Sequence, residues 1–238
     1  MKKINITISV IILIIFPLFL VCSENEKISN EMQEITGKET PREAANAAIE
    51  ALQKLTNEEN FQNLGFNSLK EVKELEVGDP IPLKGIAYNK LLKFEEGSPI
   101  NTLFEKNKQF VFPLLFNGQV KTTVTVIETD KGWVFNNFGG TIYTEIITDK
   151  RIFSGWPDTV EVNIKDMNII SIPGLNIEMV GFDINNDWWL IPTFDNPKIE
   201  VKQYSKLPAK ELMPVIKSYA IEFENQYGDQ IKEKRLVK

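Results

Sequence analysis

At 238 residues, 42% of them apolar and 25% charged, the chain has the size and composition of one large or two small globular domains. Its 33 acidic and 27 basic side chains give a net charge of −6, and no basic stripe runs along it, so nucleic acid is excluded as a partner. There is no histidine and a single cysteine, Cys22, which removes Ser-His-Asp and Cys-His catalysis, the usual zinc sites and haem ligation by histidine. Carboxylate, lysine, tyrosine or threonine chemistry remains, so an enzyme is an open question toward which the composition does not lean.

Met1 to Val21 reads as an export leader. Lys2 and Lys3 make a positive start, and the uncharged run VIILIIFPLFLV has the length of a signal h-region before the polar stretch beginning at Ser23. The end of the leader resembles that of a bacterial lipoprotein, with the sole cysteine where the apolar run stops. The resemblance implies acylation of Cys22 and a membrane-anchored domain. Phe19, Leu20 and Val21 stand before Cys22 where that pattern wants a small residue directly before the cysteine. Cleavage after Ser23, giving a periplasmic or secreted protein, and an uncleaved anchor therefore stay open.

Residues 23–39 are polar with little periodicity and read as a flexible tether. Thr40-Pro41-Arg42-Glu43 is a helix start with a capping box, and Ala44, Ala48, Ala51, Leu52 and Leu55 give that helix an apolar face to lay on a sheet. Ser68-Leu69-Lys70-Glu71 is a second, shorter box. Ile81 to Tyr88 is a candidate strand, and Ser98-Pro99 a short helix start within a poorly legible segment.

The clearest signal is Gln109 to Gly140, three antiparallel strands joined at Asn117-Gly118 and at Thr129 to Gly132. Pro113 predicts an edge or a bulge in the first of them. Thr141 to Thr148 is rich in β-branched residues and reads as a strand, with a helix as the alternative. Further strands are expected at 160–164, 168–172, 175–183, 188–194 and 198–204, with a turn at Asn185-Asn186. A closing helix is expected from Pro214 to Tyr227, stopped by Gly228, with the basic residues of 232–238 as a solvated tail.

The expected organisation is a leader (1–22), the tether (23–39), an α+β lobe around the meander 109–140 (40–152), and a β-rich lobe with a C-terminal helix (153–238). The fold class is α+β, a mainly antiparallel β-sheet covered by an N-terminal helix. In layout, helix then meander, it resembles the cystatin or NTF2-like arrangement, and layout carries no function.

No cofactor or metal is expected. Asp183-Ile184-Asn185-Asn186-Asp187 spaces oxygens as a calcium loop begins, but Trp188 stands where the loop needs glycine and no closing glutamate follows. The candidate ligand-binding residues are Trp156, Trp188 and Trp189. Neighbours on a strand point to opposite faces, so one of the paired tryptophans can enter the core while the other meets a ligand. The expected role is that of an exported, envelope-associated module binding a protein, peptide or glycan, with membrane attachment through leader or lipid. An exported carboxylate hydrolase of cell-wall glycans and a structural or chaperone-like envelope component are the alternatives.

Overall fold

The computed structural model describes residues 37–62, 65–106, 108–139, 141–156 and 160–236; Cys22, the leader and the tether up to residue 36 lie outside them. The first half of the chain forms α1 (Pro41–Leu55), α2 (Leu69–Lys73), β1 (Glu76–Val77), β2 (Ile81–Gly85), α3 (Tyr88–Leu92), β3 (Gln109–Phe116), β4 (Gln119–Thr129) and β5 (Gly132–Phe138). The second half forms α4 (Thr141–Thr148), α5 (Lys150–Phe153), β6 (Met167–Ile172), β7 (Ile177–Ile184), β8 (Asp187–Pro192), β9 (Leu207–Pro208) and α6 (Ala209–Leu236). The class is α+β, and every strand pairing with a defined register is antiparallel except that of β2 with β6. The described residues divide into two compact units, one of 37–78 with 112–139 and the other of 79–111 with 141–236.

The first unit is built on the meander. Asn117 and Gly118 both take positive φ (52° and 72°), the mirror-image turn that matches the twist of the strands it joins. α1 packs on β4 and β5, burying Ala44, Ala45, Ala48, Ile49 and Leu52. Its start is the predicted box: the Glu43 N–H donates to Thr40 Oγ1 at 3.2 Å, and the Thr40 N–H to Glu43 Oε2 at 3.1 Å. The second box is only half formed. Ser68 Oγ accepts from the Glu71 N–H, but the Glu71 carboxylate turns one residue further back to the Asn67 N–H, 2.8 Å away, and pairs with Lys121 at 3.0 Å.

Two expectations here are corrected. Pro113 lies on no edge, because β3 runs between β4 and β1. The strand tolerates it because its carbonyl accepts the Gly78 N–H at 2.8 Å just after β1 ends, where no N–H from residue 113 is required. The last part of the tether is not loose, since Lys38 exchanges two backbone hydrogen bonds with Trp133 of β5, at 2.8 and 2.9 Å. A side chain on Gly37 would run into the Lys131 carbonyl, so glycine is needed at that contact.

In the second unit, β2 lies parallel to β6, and β7, β8 and β9 continue from it antiparallel. The registers Ile170↔Met179 and Gly181↔Leu190 set those residues and Trp188 on one face. α3 and α6 close over this face in a core of Leu91, Ile170, Met179, Leu190, Met213 and Ile216. The opposite face carries Val180, Phe182, Trp189 and Ile191. It meets Phe153 of α5 edge-on, 6.2 Å from the Phe182 centroid.

The remaining corrections fall in this unit. Thr141–Thr148 is a helix: Tyr143, Ile146 and Ile147 recur at helical spacing, two of them buried, and Thr148 Oγ1 donates to the Thr144 carbonyl at 2.8 Å. Packing has overridden β-propensity. Residues 160–164 are no strand, since Asn163 and Asp166 cap each other's backbone around a 3₁₀ turn. Residues 198–204 are turns, with Glu200 and Tyr204 at positive φ. Tyr88 opens a helix instead of closing a strand. The closing helix is longer than its pattern at both ends. It starts at Ala209 because Leu212 and Met213 are already buried, which offsets the hydrogen bond Pro214 cannot donate. It passes Gly228, whose φ is not left-handed, and its backbone runs on through positions 232, 234 and 235.

Candidate functional site

Trp188 and Trp189 sit on β8 directly after the two-residue turn Asn185-Asn186, whose φ values of 56° and 67° make it a tight hairpin with β7. Both are half-buried, and as strand neighbours they leave on opposite faces. Trp188 lies over Gly181 across the ladder: a Cβ there would stand 3.0 Å from its Cζ3 and 2.4 Å from Cδ1 of Ile170. Its indole meets Phe104 edge-on, with centroids 5.1 Å apart at 65°. Lys84 Nζ stands 5.5 Å from the Trp188 ring and 5.0 Å from that of Phe104. These contacts hold the indole in one place.

Against these two tryptophans lies a groove of about 470 Å³, within the range of about 300–1,000 Å³ usual for small-ligand sites. The 94–101 segment forms one wall, the β7–β8 hairpin the second and the first turn of α6 the third. Phe94, Ile100, Met213 and Trp188 give it an apolar lining. Ser98, Asn101, Asp183, Asn186, Asp187 and Lys210 supply its polar groups. The first wall is tied down, because Lys217 of α6 donates to the Phe94 carbonyl at 2.6 Å. A 3₁₀ turn over Ile100–Leu103 fixes its far end, with Thr102 bonded to the Pro99 carbonyl at 2.7 Å.

Of the three tryptophans singled out in the sequence, the structure brings Trp188 and Trp189 to the groove and leaves Trp156 out of its lining. Trp156 packs edge-on against Trp189 at 5.7 Å and Phe182 at 5.6 Å, with its indole N–H given to the Ile152 carbonyl. It supports Trp189 from behind. Sequence reasoning missed Lys84, Phe104, Lys217 and the 94–101 wall. The one local signal for the Trp188 seat was an isolated glycine inside a strand, Gly181, which marks close approach by a neighbour.

The groove carboxylates do not form a facing pair. Register places Asp183 opposite Trp188 and Asp187 opposite Ile184, so the two side chains leave on different faces of the hairpin. The carboxyl group in the most unusual surroundings is elsewhere in the unit. Glu178 Oε1 accepts from the Tyr143 hydroxyl at 3.3 Å, while Oε2 is buried with no hydrogen-bond partner among the described residues. Burial raises the Glu178 carboxyl above its ordinary value, and burial with the neighbouring carboxylate pushes the Tyr143 hydroxyl up to about 12. Among the described residues no cluster of three or more acidic or thiol ligands gathers for a metal, and no helix is long and apolar enough to cross a membrane. Compared with protein-family models, curated proteins and solved structures, the chain matches none.

Proposed function

We propose that this protein is an exported, envelope-associated module that holds a protein segment, peptide or glycan in the groove beside Trp188 without transforming it. The observation that carries this reading is the groove itself: an apolar lining with polar groups around it, and a tryptophan fixed by Phe104, Lys84 and the space over Gly181. A seat made rigid beforehand spares the ligand the cost of ordering it. The binding role is favoured over hydrolysis because the two groove carboxylates leave on opposite faces, whereas glycosidases set two carboxyl groups across one bond. Export rests on the leader at 1–22, with Cys22 as the acylation point if the chain is anchored.

Retention on washed envelope fragments tests the binding role. Wild-type protein should be retained, a Trp188→Ala variant should pass through, and no soluble reducing sugar should be released. Release of sugar by the wild type, absent from the variant, would replace the binding reading with the hydrolase. Mass measurement of the mature N-terminus tests the export reading. A lipid-modified Cys22 or a start at Glu24 supports it, and an intact leader on a cytosolic protein refutes it.

A further inference from the structure

We infer that the ligand of the Trp188 groove is a short saccharide, bound with the apolar face of a ring against the indole and its hydroxyls toward the surrounding polar groups; this rests on the groove being a binding site. Ser98, Asn101 and Asn186 can each both donate and accept a hydrogen bond, Asp183 and Asp187 accept, and Lys210 donates. A sugar hydroxyl also does both, so a ligand carrying several can satisfy this mixed set. Its C–H groups suit the half-buried Trp188, which offers apolar surface and no acceptor.

Other ligand classes fit less of the site. A peptide added as a strand needs a row of open edge groups. β9 already pairs with β8 at Trp189 and Leu190, which leaves only Asp187 and Trp188 of the strand in the groove beyond that pairing. An anion would meet two carboxylates and one ammonium in a chain of net charge −6. A cation would want both carboxylates together, and register separates them. A neutral polyhydroxylated ring uses the aromatic wall and the polar groups at once. The volume of about 470 Å³ leaves room for a disaccharide or trisaccharide.

The test is titration calorimetry and tryptophan fluorescence on the full mature chain with chitotriose, maltotriose, a muramidase digest of peptidoglycan, and a Gly-Lys repeat peptide. Saturable binding of at least one saccharide is expected. Trp188→Ala should weaken it by at least about tenfold. Because Trp188 also packs on the core, Asp187→Asn and Asn101→Ala, at exposed positions, serve as variants that should weaken binding severalfold with unchanged unfolding midpoints. Binding of the peptide alone, lost in Trp188→Ala, would overturn the saccharide assignment and leave the binding module standing. Saccharide binding indifferent to all three variants would overturn the groove as its seat. No binding of any probe would overturn both readings.

Discussion

Gly181→Ala tests the link between the sheet and the groove. The added Cβ would lie 2.4 Å from Cδ1 and 3.3 Å from Cγ1 of Ile170, and 3.0 Å from Cζ3 of Trp188. Ile170 is fully buried, so its methyl group cannot swing into solvent. Overpacking of this kind costs about 1–3 kcal/mol. Alanine returns about 0.4–1 kcal/mol by narrowing the unfolded ensemble, because Gly181 does not use positive φ. The net expectation is a loss of about 0–2.6 kcal/mol in urea unfolding, together with a changed Trp188 environment in near-UV circular dichroism. A second variant isolates the cause. Ile170→Val deletes Cδ1 itself. Alone it should cost about 0.5–1.5 kcal/mol, but in the Gly181→Ala background it should cost less, or restore stability. Strictly additive effects in the double variant would show that the added Cβ does not meet Ile170 Cδ1, and an unchanged near-UV signal in Gly181→Ala would show that Trp188 is not seated over this glycine.

Glu178 should make stability depend on pH. A carboxyl group raised by burial contributes most below its ordinary value of 4.5 and loses that contribution as pH rises through the folded value. Glu178→Gln should therefore flatten the decline in unfolding midpoint above pH 4.5, and an unchanged profile would mean the group is solvated. In an ultraviolet pH titration, Tyr143 should ionise near pH 12, well above an ordinary tyrosine. Thr40→Ala removes the reciprocal cap of α1 and should cost about 1 kcal/mol, measured by urea unfolding. Lys217→Met releases the Phe94 carbonyl and should raise amide exchange of residues 94–98 by roughly fivefold or more, as expected for about 1 kcal/mol of local protection. Exchange unchanged from wild type would show that this wall is held by its packing alone.

What the sequence made legible was whatever local chemistry decides. The Thr40 box, the Asn117-Gly118 turn and the Asn185-Asn186 hairpin each depend on residues within four positions of one another, and each took its expected form. The misreadings share a different cause. Thr141–Thr148 has strand-forming residues but buries Ile146 and Ile147, and Pro214 stands inside a helix whose start is fixed by the burial of Leu212 and Met213. In both, contacts made by distant parts of the chain outweighed a preference of order 1–3 kcal/mol. The groove was half visible for the same reason. Trp188-Trp189 drew attention as a pair, whereas Lys84, Phe104 and Lys217 reach the site only because the sheet and α6 bring separate stretches of chain together. No spacing announces such a meeting.

The interleaving of the two units has a consequence for how the chain is made. It crosses from one unit to the other three times, where a tandem pair would cross once. A ribosome delivers every residue of the first unit by Gly140, but the segment 79–111 must wait for α6 before the core around Leu91, Ile100 and Leu103 can close. At about 5–20 residues per second, the stretch from 141 to the end takes roughly 5–20 s to emerge, and until it has done so those apolar side chains lack their full native cover. A stop codon before Leu212 would remove Leu212, Met213 and Ile216 of α6 from this core. The terminal helix thus decides whether the newborn polypeptide clumps or matures.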